Sequence, residues 1–240
     1  MELRNLYLQL DELSVELGTL RFSDPVTHVY DPLRYARQPI RLYFERYAGL
    51  GADTLLLGMN PGPWGMAQTG IPFGSVAMVR DWLGLEAEVG KPENEHPKRP
   101  VEGFACEREE VSGRRLWGWA RDAFGAPERF FARLFVHNYC PLIFLKPTGA
   151  NLTPDKLRAA ERQPLLDACD RALRRFVEAW APRRVIGVGA WAESRARHAL
   201  EGLDLEVHRI LHPSPASPTA NRGWAEQAEN QLREIGVELG

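Results

Sequence analysis

Three polar side chains in this 240-residue sequence directly follow apolar runs. Asn60 comes after Leu55–Leu57, Asn138 closes the segment RLFVHN, and His212 follows EVHRIL. One imidazole and two carboxamides define a narrow chemistry. Asparagine is not a base at neutral pH, but it orients a water and accepts a hydrogen bond. A neutral histidine donates to a developing oxyanion. The set suits a reaction whose electrophile becomes cationic by itself and whose leaving group gathers negative charge. Cleavage of an N-glycosidic bond fits. Asn138 can donate and accept at once, as reading an amide-like base edge requires, and Phe73 offers a stacking face for a planar base. Each residue also has a plainer role open to it. Asn60 could cap a turn, Asn138 could satisfy strand-end backbone groups, His212 could be an ordinary loop residue before proline, and Phe73 could anchor the core. Their joint placement favours the functional reading.

The elements that must position these residues are legible as apolar runs. Residues 52–58, 133–138, 184–189 and 206–211 read as strands, short and nearly all apolar in the first case, as a parallel strand covered on both faces requires. Helical periodicity marks 5–20, 32–47 with a kink or division at Pro39, 75–83 with Ser75 as a cap, 115–124, 164–180, 191–200 and 221–235. Thr153 is placed to cap a short helix from Pro154. Residues 22–31 read as a connector, 139–149 as an apolar crossing near the pocket, and 86–114 as a long charged loop, functional or wrapped against the body. Strands alternating with crossovers predict an α/β fold: a three-layer α/β/α arrangement with a central four-stranded parallel sheet. Polar residues at the carboxyl ends of such strands share one rim. One domain over 1–240 is expected. The stretch from Leu55 to Gly74, LLLGMNPGPWGMAQTGIPFG, reads as a rigid loop at that rim, stiffened by Pro61, Pro63 and Pro72. It matches neither a dinucleotide fingerprint nor a P-loop.

Composition narrows the classes further. Hydrophobic residues are 44% and charged residues 26%, enough apolar content for a sizeable core and against global disorder. A net charge of -2 gives no overall push towards nucleic acid and does not exclude it. Cys106, Cys140 and Cys169 are odd in number and far apart, so neither a disulfide framework nor a metal spacing is visible, and no metal or cofactor is expected. No apolar run approaches the ~18 residues of a membrane span, and the start MELRNLYLQLDEL lacks a secretory pattern. A soluble cytoplasmic protein is expected, beside the nucleoid in a bacterial cell and nuclear in a eukaryotic one.

GMNPGPWGMAQTGIPFG, VHNYCPLIF and HPSPASPTANRGW resemble the three signature regions of the single-strand-selective monofunctional uracil-DNA glycosylases, a branch of the uracil-DNA glycosylase superfamily. VAMVRDWLGL, EHPKRP and EVSGRRLWGWA extend the likeness over most of the chain from Tyr30 onward. The resemblance implies hydrolysis of the base–sugar bond of uracil, and of 5-substituted uracils such as 5-hydroxymethyluracil, in single- and double-stranded DNA. Water is then the nucleophile, the products are free base and an abasic site, and the enzyme is a monomer without a cofactor. Asn60 matches the water-positioning residue and His212 the donor to uracil O2. Asn138 matches the reader of the N3–H and O4 edge, Phe73 the stacked aromatic, and Gly62 the position near base C5. Met59 lies beside the catalytic position and contributes mainly backbone contacts. Pro213, Ser214, Pro215, Ala216 and Ser217, with Arg222, resemble the wedge that fills the duplex when a base leaves the stack. Two departures stand out: Ala216 where vertebrate members commonly carry arginine, and Ile71 where valine is common. Lys98 and Arg99 resemble a basic family segment that is also readable as a solvated pair. A relative shifted towards xanthine or hypoxanthine is the first alternative, and an inactive DNA-binding module the second.

Overall fold

The computed structural model describes the backbone of residues 3–239 and the side chains of residues 6–239. Leu6, Leu10, Leu13 and Leu17 recur at helical spacing, and all four are buried on helix α1 (Leu3–Leu17). The expected connector contains a three-residue strand, β1 (His28–Tyr30). Asp31 caps α2 (Pro32–Tyr35), accepting the Leu33 backbone N–H at 3.0 Å. The predicted 32–47 helix divides at Ala36 rather than at Pro39. Pro39 falls in the first turn of α3 (Arg37–Tyr47), where its missing N–H costs no helical bond.

Strand β2 (Thr54–Gly58) is wholly buried and is followed by the single-turn helix α4 (Met66–Thr69). The helix predicted at 75–83 forms as a π-type turn over Met78–Trp82, to which Ser75 contributes its carbonyl, accepting Val79 N–H at 2.9 Å. The charged 86–114 segment has little regular structure before α5 (Val111–Phe124), yet it is wrapped against the body, with His96, Val101 and Cys106 buried. Buried Gln68 ties it down. Its amide donates to the Pro63 and Pro100 carbonyls at 3.0 Å each, and its oxygen accepts the N–H groups of Glu102 and Gly103.

The chain continues through α6 (Pro127–Phe131), β3 (Leu134–Asn138), β4 (Ile143–Leu145) and β5 (Asn151–Leu152). A 3-10 turn at Pro154–Lys156 has no cap from the Thr153 side chain. Helix α7 (Ala159–Trp180) starts ahead of the predicted position and runs through Pro164. Its first turn is closed by the N–H groups of Glu161 and Arg162 on the Arg158 carbonyl. Then come β6 (Arg184–Val188), α8 (Ala190–Ala199), β7 (Glu206–Ile210) and α9 (Trp224–Glu234).

Strands β3, β2, β6 and β7 lie in that order, each parallel to its neighbour, which is the expected four-stranded sheet flanked by helices. A second, antiparallel sheet of β1, β4 and β5 was not anticipated. Tyr43, Phe44, Phe131, Phe135 and Phe176 form an aromatic core, and the Tyr43 hydroxyl donates to the Val136 carbonyl at 2.9 Å, so this buried hydroxyl is satisfied. Among the described residues no helix is long and apolar enough to cross a membrane, and no group of His, Cys, Asp or Glu is arranged to hold a metal ion. The three cysteines are free and buried.

Candidate active site

The sheet brings the polar strand ends together. Gly58 pairs in register with Asn138, and the alignment continues past the strands. Tyr139 N–H donates to the Gly58 carbonyl and Cys140 N–H to the Met59 carbonyl, both at 2.9 Å. Asn60 and Asn138 therefore leave adjacent strands side by side, while His212 arrives from beyond β7 at the far edge. A cavity of about 300 Å³ receives Asn60, Asn138 and His212. Met59, Gly62, Phe73 and Ser214 line it as well.

Each side chain is held. The Asn60 amide donates to the Leu142 carbonyl at 3.2 Å, which commits its nitrogen and turns its oxygen to acceptor duty. Asn138 is 5% exposed, and its nitrogen contacts the Met66 sulfur at 3.2 Å. Its oxygen lies over the backbone of Gly58. A Cβ at Gly58 would sit 2.2 Å from that oxygen and 2.6 Å from the Phe73 ring. Phe73 itself has φ 53°, a left-handed conformation costly for an aromatic residue. The strain is fixed from outside, with the Trp117 indole donating to the Pro72 carbonyl at 3.2 Å. The Phe73 and His212 rings lie 5.9 Å apart. Burial pushes the His212 imidazole down to about 4, so it is neutral at physiological pH and able to donate.

The segment after His212 divides. Pro213 is buried and Ser214 and Ser217 are half-buried, while Pro215 and Ala216 are exposed at the tip of a turn closed by Ser217 N–H on the Ser214 carbonyl at 3.1 Å. Arg115 and Asn221 brace this turn. Arg115 donates to the Pro213 and Ser214 carbonyls and to the Asn221 oxygen, and the Asn221 amide donates to the Pro215 carbonyl. Arg222 is exposed on a 3-10 turn at Ala220–Arg222 and does not line the cavity. Arg99 and Arg108 both place their guanidinium over the Trp64 ring, at 5.0 and 4.6 Å, while Lys98 is exposed.

Glu110 and Asn151 are among the lining residues that escaped the sequence reading. Glu110 reaches in from the start of α5, its carboxylate against the backbone of Gly62, where a Cβ would meet Oε2 at 2.2 Å. Burial raises its pKa, and the Trp64 backbone N–H opposes that shift. Asn151, on β5, donates to the Pro61 carbonyl at 3.2 Å, and its buried oxygen has no partner. Glu110 was hidden in the charged run CEREE, and Asn151 in a strand of two residues. A larger cavity of about 550 Å³ between α1 and α3 offers no comparable convergence, and its charges pair among themselves, as Arg37 with Asp11 and Arg41 with Glu45.

Comparison with known proteins places the chain in a family. Residues 45–233 match the model of the uracil DNA glycosylase superfamily. The chain is 52% identical over 227 residues to the single-strand selective monofunctional uracil-DNA glycosylase of Rattus norvegicus, covering 94% of this chain and 82% of the relative. The enzyme of that name from Bos taurus is also 52% identical, with 94% and 84% covered. The crystal structure of Pedobacter heparinus SMUG2 superposes with a TM-score of 0.66 over 96% of this chain and 99% of that one, at 13% identity, which is a likeness of fold. By its sequence match over residues 45–233 and its close relatives, the chain belongs to the uracil DNA glycosylase superfamily.

Proposed function

We propose that this protein is a base-excision repair glycosylase that hydrolyses the N-glycosidic bond of uracil and 5-substituted uracils in DNA. The observation that carries the reading is the fixed Asn60 amide sharing one cavity with Asn138 and a neutral His212. The base leaves the stack and enters the cavity against Phe73. The C1′–N1 bond breaks and its electron pair passes to the base, where charge gathers on O2 and accepts a hydrogen bond from His212. The sugar becomes cationic, so water held by the Asn60 oxygen adds at C1′ without prior deprotonation and releases its proton to solvent. Free base and an abasic site result, with no enzyme–DNA bond. Asn138 accepts from N3–H and donates to O4, a pattern that cytosine reverses. Met59 and Gly62 supply backbone to the pocket wall.

Single- and double-stranded DNA are both substrates in this reading. Pro213, Ser214, Pro215, Ala216 and Ser217 form the wedge, with the exposed pair Pro215 and Ala216 at its tip, and Arg222 beside it on the phosphates. The enzyme acts as a monomeric single domain, in keeping with a hydrophobic core cluster that runs from Leu6 to Val237. The test is strand cleavage of uracil-containing oligonucleotides, single-stranded and duplex, with and without hot alkali. Cleavage that depends on alkali is expected. Intact strands after alkali, or cleavage without it, would overturn the monofunctional reading.

A further inference from the structure

Two guanidinium groups lie over the half-buried Trp64 ring, Arg108 at 4.6 Å and Arg99 at 5.0 Å from its centroid. Three chain segments meet here, and each also supplies the wall of the cavity. Trp64 follows Pro61 and Gly62, Arg108 precedes Glu110, and Arg99 is pressed against the turn that leads into Asn151. A Cβ on Gly149 would lie 3.3 Å from Arg99 Nη1 and 3.2 Å from the Cβ of Lys98, an exposed third cation. The charge gathered there is uncompensated. Arginines elsewhere on the surface pair with carboxylates, as Arg41 with Glu45 and Arg233 with Glu229. Among the described residues neither Arg99 nor Arg108 has an ion-pair partner, and the neighbouring Glu109 pairs with Arg114 instead. Arg99 Nη1 donates to the Lys98 carbonyl at 2.6 Å, while its Nε is buried without a partner. An aromatic face attracts a guanidinium, but two cations on one ring repel each other. Stacking alone does not account for the pair, whereas an anion beside the ring turns that repulsion into attraction.

We propose that Trp64, Arg99 and Arg108 anchor a backbone phosphate of the DNA strand that carries the target base. The inference rests on the glycosylase reading above for its ligand. A guanidinium presents paired N–H donors that match phosphate oxygens, and stacking on Trp64 orients both groups before the strand arrives. Such a contact positions the strand without reading its sequence. The anchor uses segments other than the 213–217 loop and needs one strand only. It therefore holds single-stranded DNA, which offers a wedge no duplex to fill, as well as double-stranded DNA.

The test is binding of the full chain to fluorescent oligonucleotides, single-stranded and duplex, that carry a stable abasic analogue. Affinity is measured across salt concentrations for the wild type, Arg99→Ala, Arg108→Ala and Arg108→Lys. Each alanine variant should bind single strands about 5- to 10-fold more weakly at low salt. The slope of log affinity against log salt should flatten by about 0.7, the counterion release of one phosphate on a single strand. Duplex affinity should fall alongside it. Arg108→Lys, which keeps a point charge, should keep the slope. A neutral methylphosphonate walked along the strand should weaken the wild type at a position where Arg108→Ala loses nothing more. Thermal unfolding establishes that each variant is folded, and the exposed Arg108 serves if an Arg99 variant is not. An unchanged slope in both alanine variants, a loss confined to duplex, or the absence of such a position would overturn the anchor. Base release by the wild type is assayed separately. Its absence would overturn the glycosylase reading, while the binding differences still decide the anchor.

Discussion

The Arg115 guanidinium donates to the Asn221 carboxamide oxygen at 2.7 Å, joining α5 to the far end of the loop that follows His212. Because Arg115 also holds the Pro213 and Ser214 carbonyls, the loop is braced before DNA arrives. Arg115→Ala should lower base release from duplex DNA about tenfold, the value of hydrogen bonds from a charged donor, because an unbraced loop wedges poorly. Release from single strands should fall less than about threefold. Side-by-side single-turnover assays check this, and equal losses would count against a wedge.

Gly58→Ala would place a methyl group 2.2 Å from the Asn138 oxygen and 2.6 Å from the Phe73 ring. Overpacking of this kind costs about 1–3 kcal/mol of stability, measurable by urea unfolding. The activity loss should be larger than that destabilisation explains, because the clash displaces two pocket groups at once.

On the proposed role of Asn60 as acceptor for the attacking water, Asn60→Ala should slow base release by at least about 100-fold, with binding to uracil-containing DNA little changed. Asn138→Asp can no longer donate to O4, so its preference for uracil over cytosine should fall at least about tenfold. Parallel uracil and cytosine duplexes read the second effect directly.

Two buried histidines contribute to the loss of stability in acid. Burial lowers both His212 and His137, the latter stacked on Phe176 with 4.5 Å between ring centroids, from 6.5 to about 4. Both folded values lie below the unfolded one, so the unfolded chain takes up protons first as pH falls. Their contribution is whole above about 6.5 and drains between there and about 4, on the order of 1 kcal/mol per pH unit for each. Urea midpoints should fall from pH 7.5 to 5.5, and the fall should shrink in His137→Phe. The rate of base release by folded enzyme should show no break near 6.5, since His212 stays neutral well below it.

The parallel sheet and its three polar strand ends were legible because buried parallel strands announce themselves as apolar runs and their sites follow at the carboxyl ends. Strands β1, β4 and β5 were not. With three, three and two residues they carry no periodicity, and their pairing is between distant segments. The division at Ala36 was misplaced to Pro39 because a proline in a first turn disrupts nothing. Glu110 was invisible for a different reason. A glutamate in a run of charges reads as solvated until the missing Cβ atoms of Gly62 and Gly65 show where it goes.

Both β3 and β7 are edge strands, yet they differ in protection: four of five β3 residues are buried and only Ile210 is in β7. The half of the pocket carrying Asn60 and Asn138 should therefore exchange slowly, and the half carrying His212 should open at lower free energy. On mild heating the segment carrying His212 should come loose before the one carrying Asn138. Amide exchange at β7 ahead of β2 and β3 would register that order, and inactivation would then precede global unfolding.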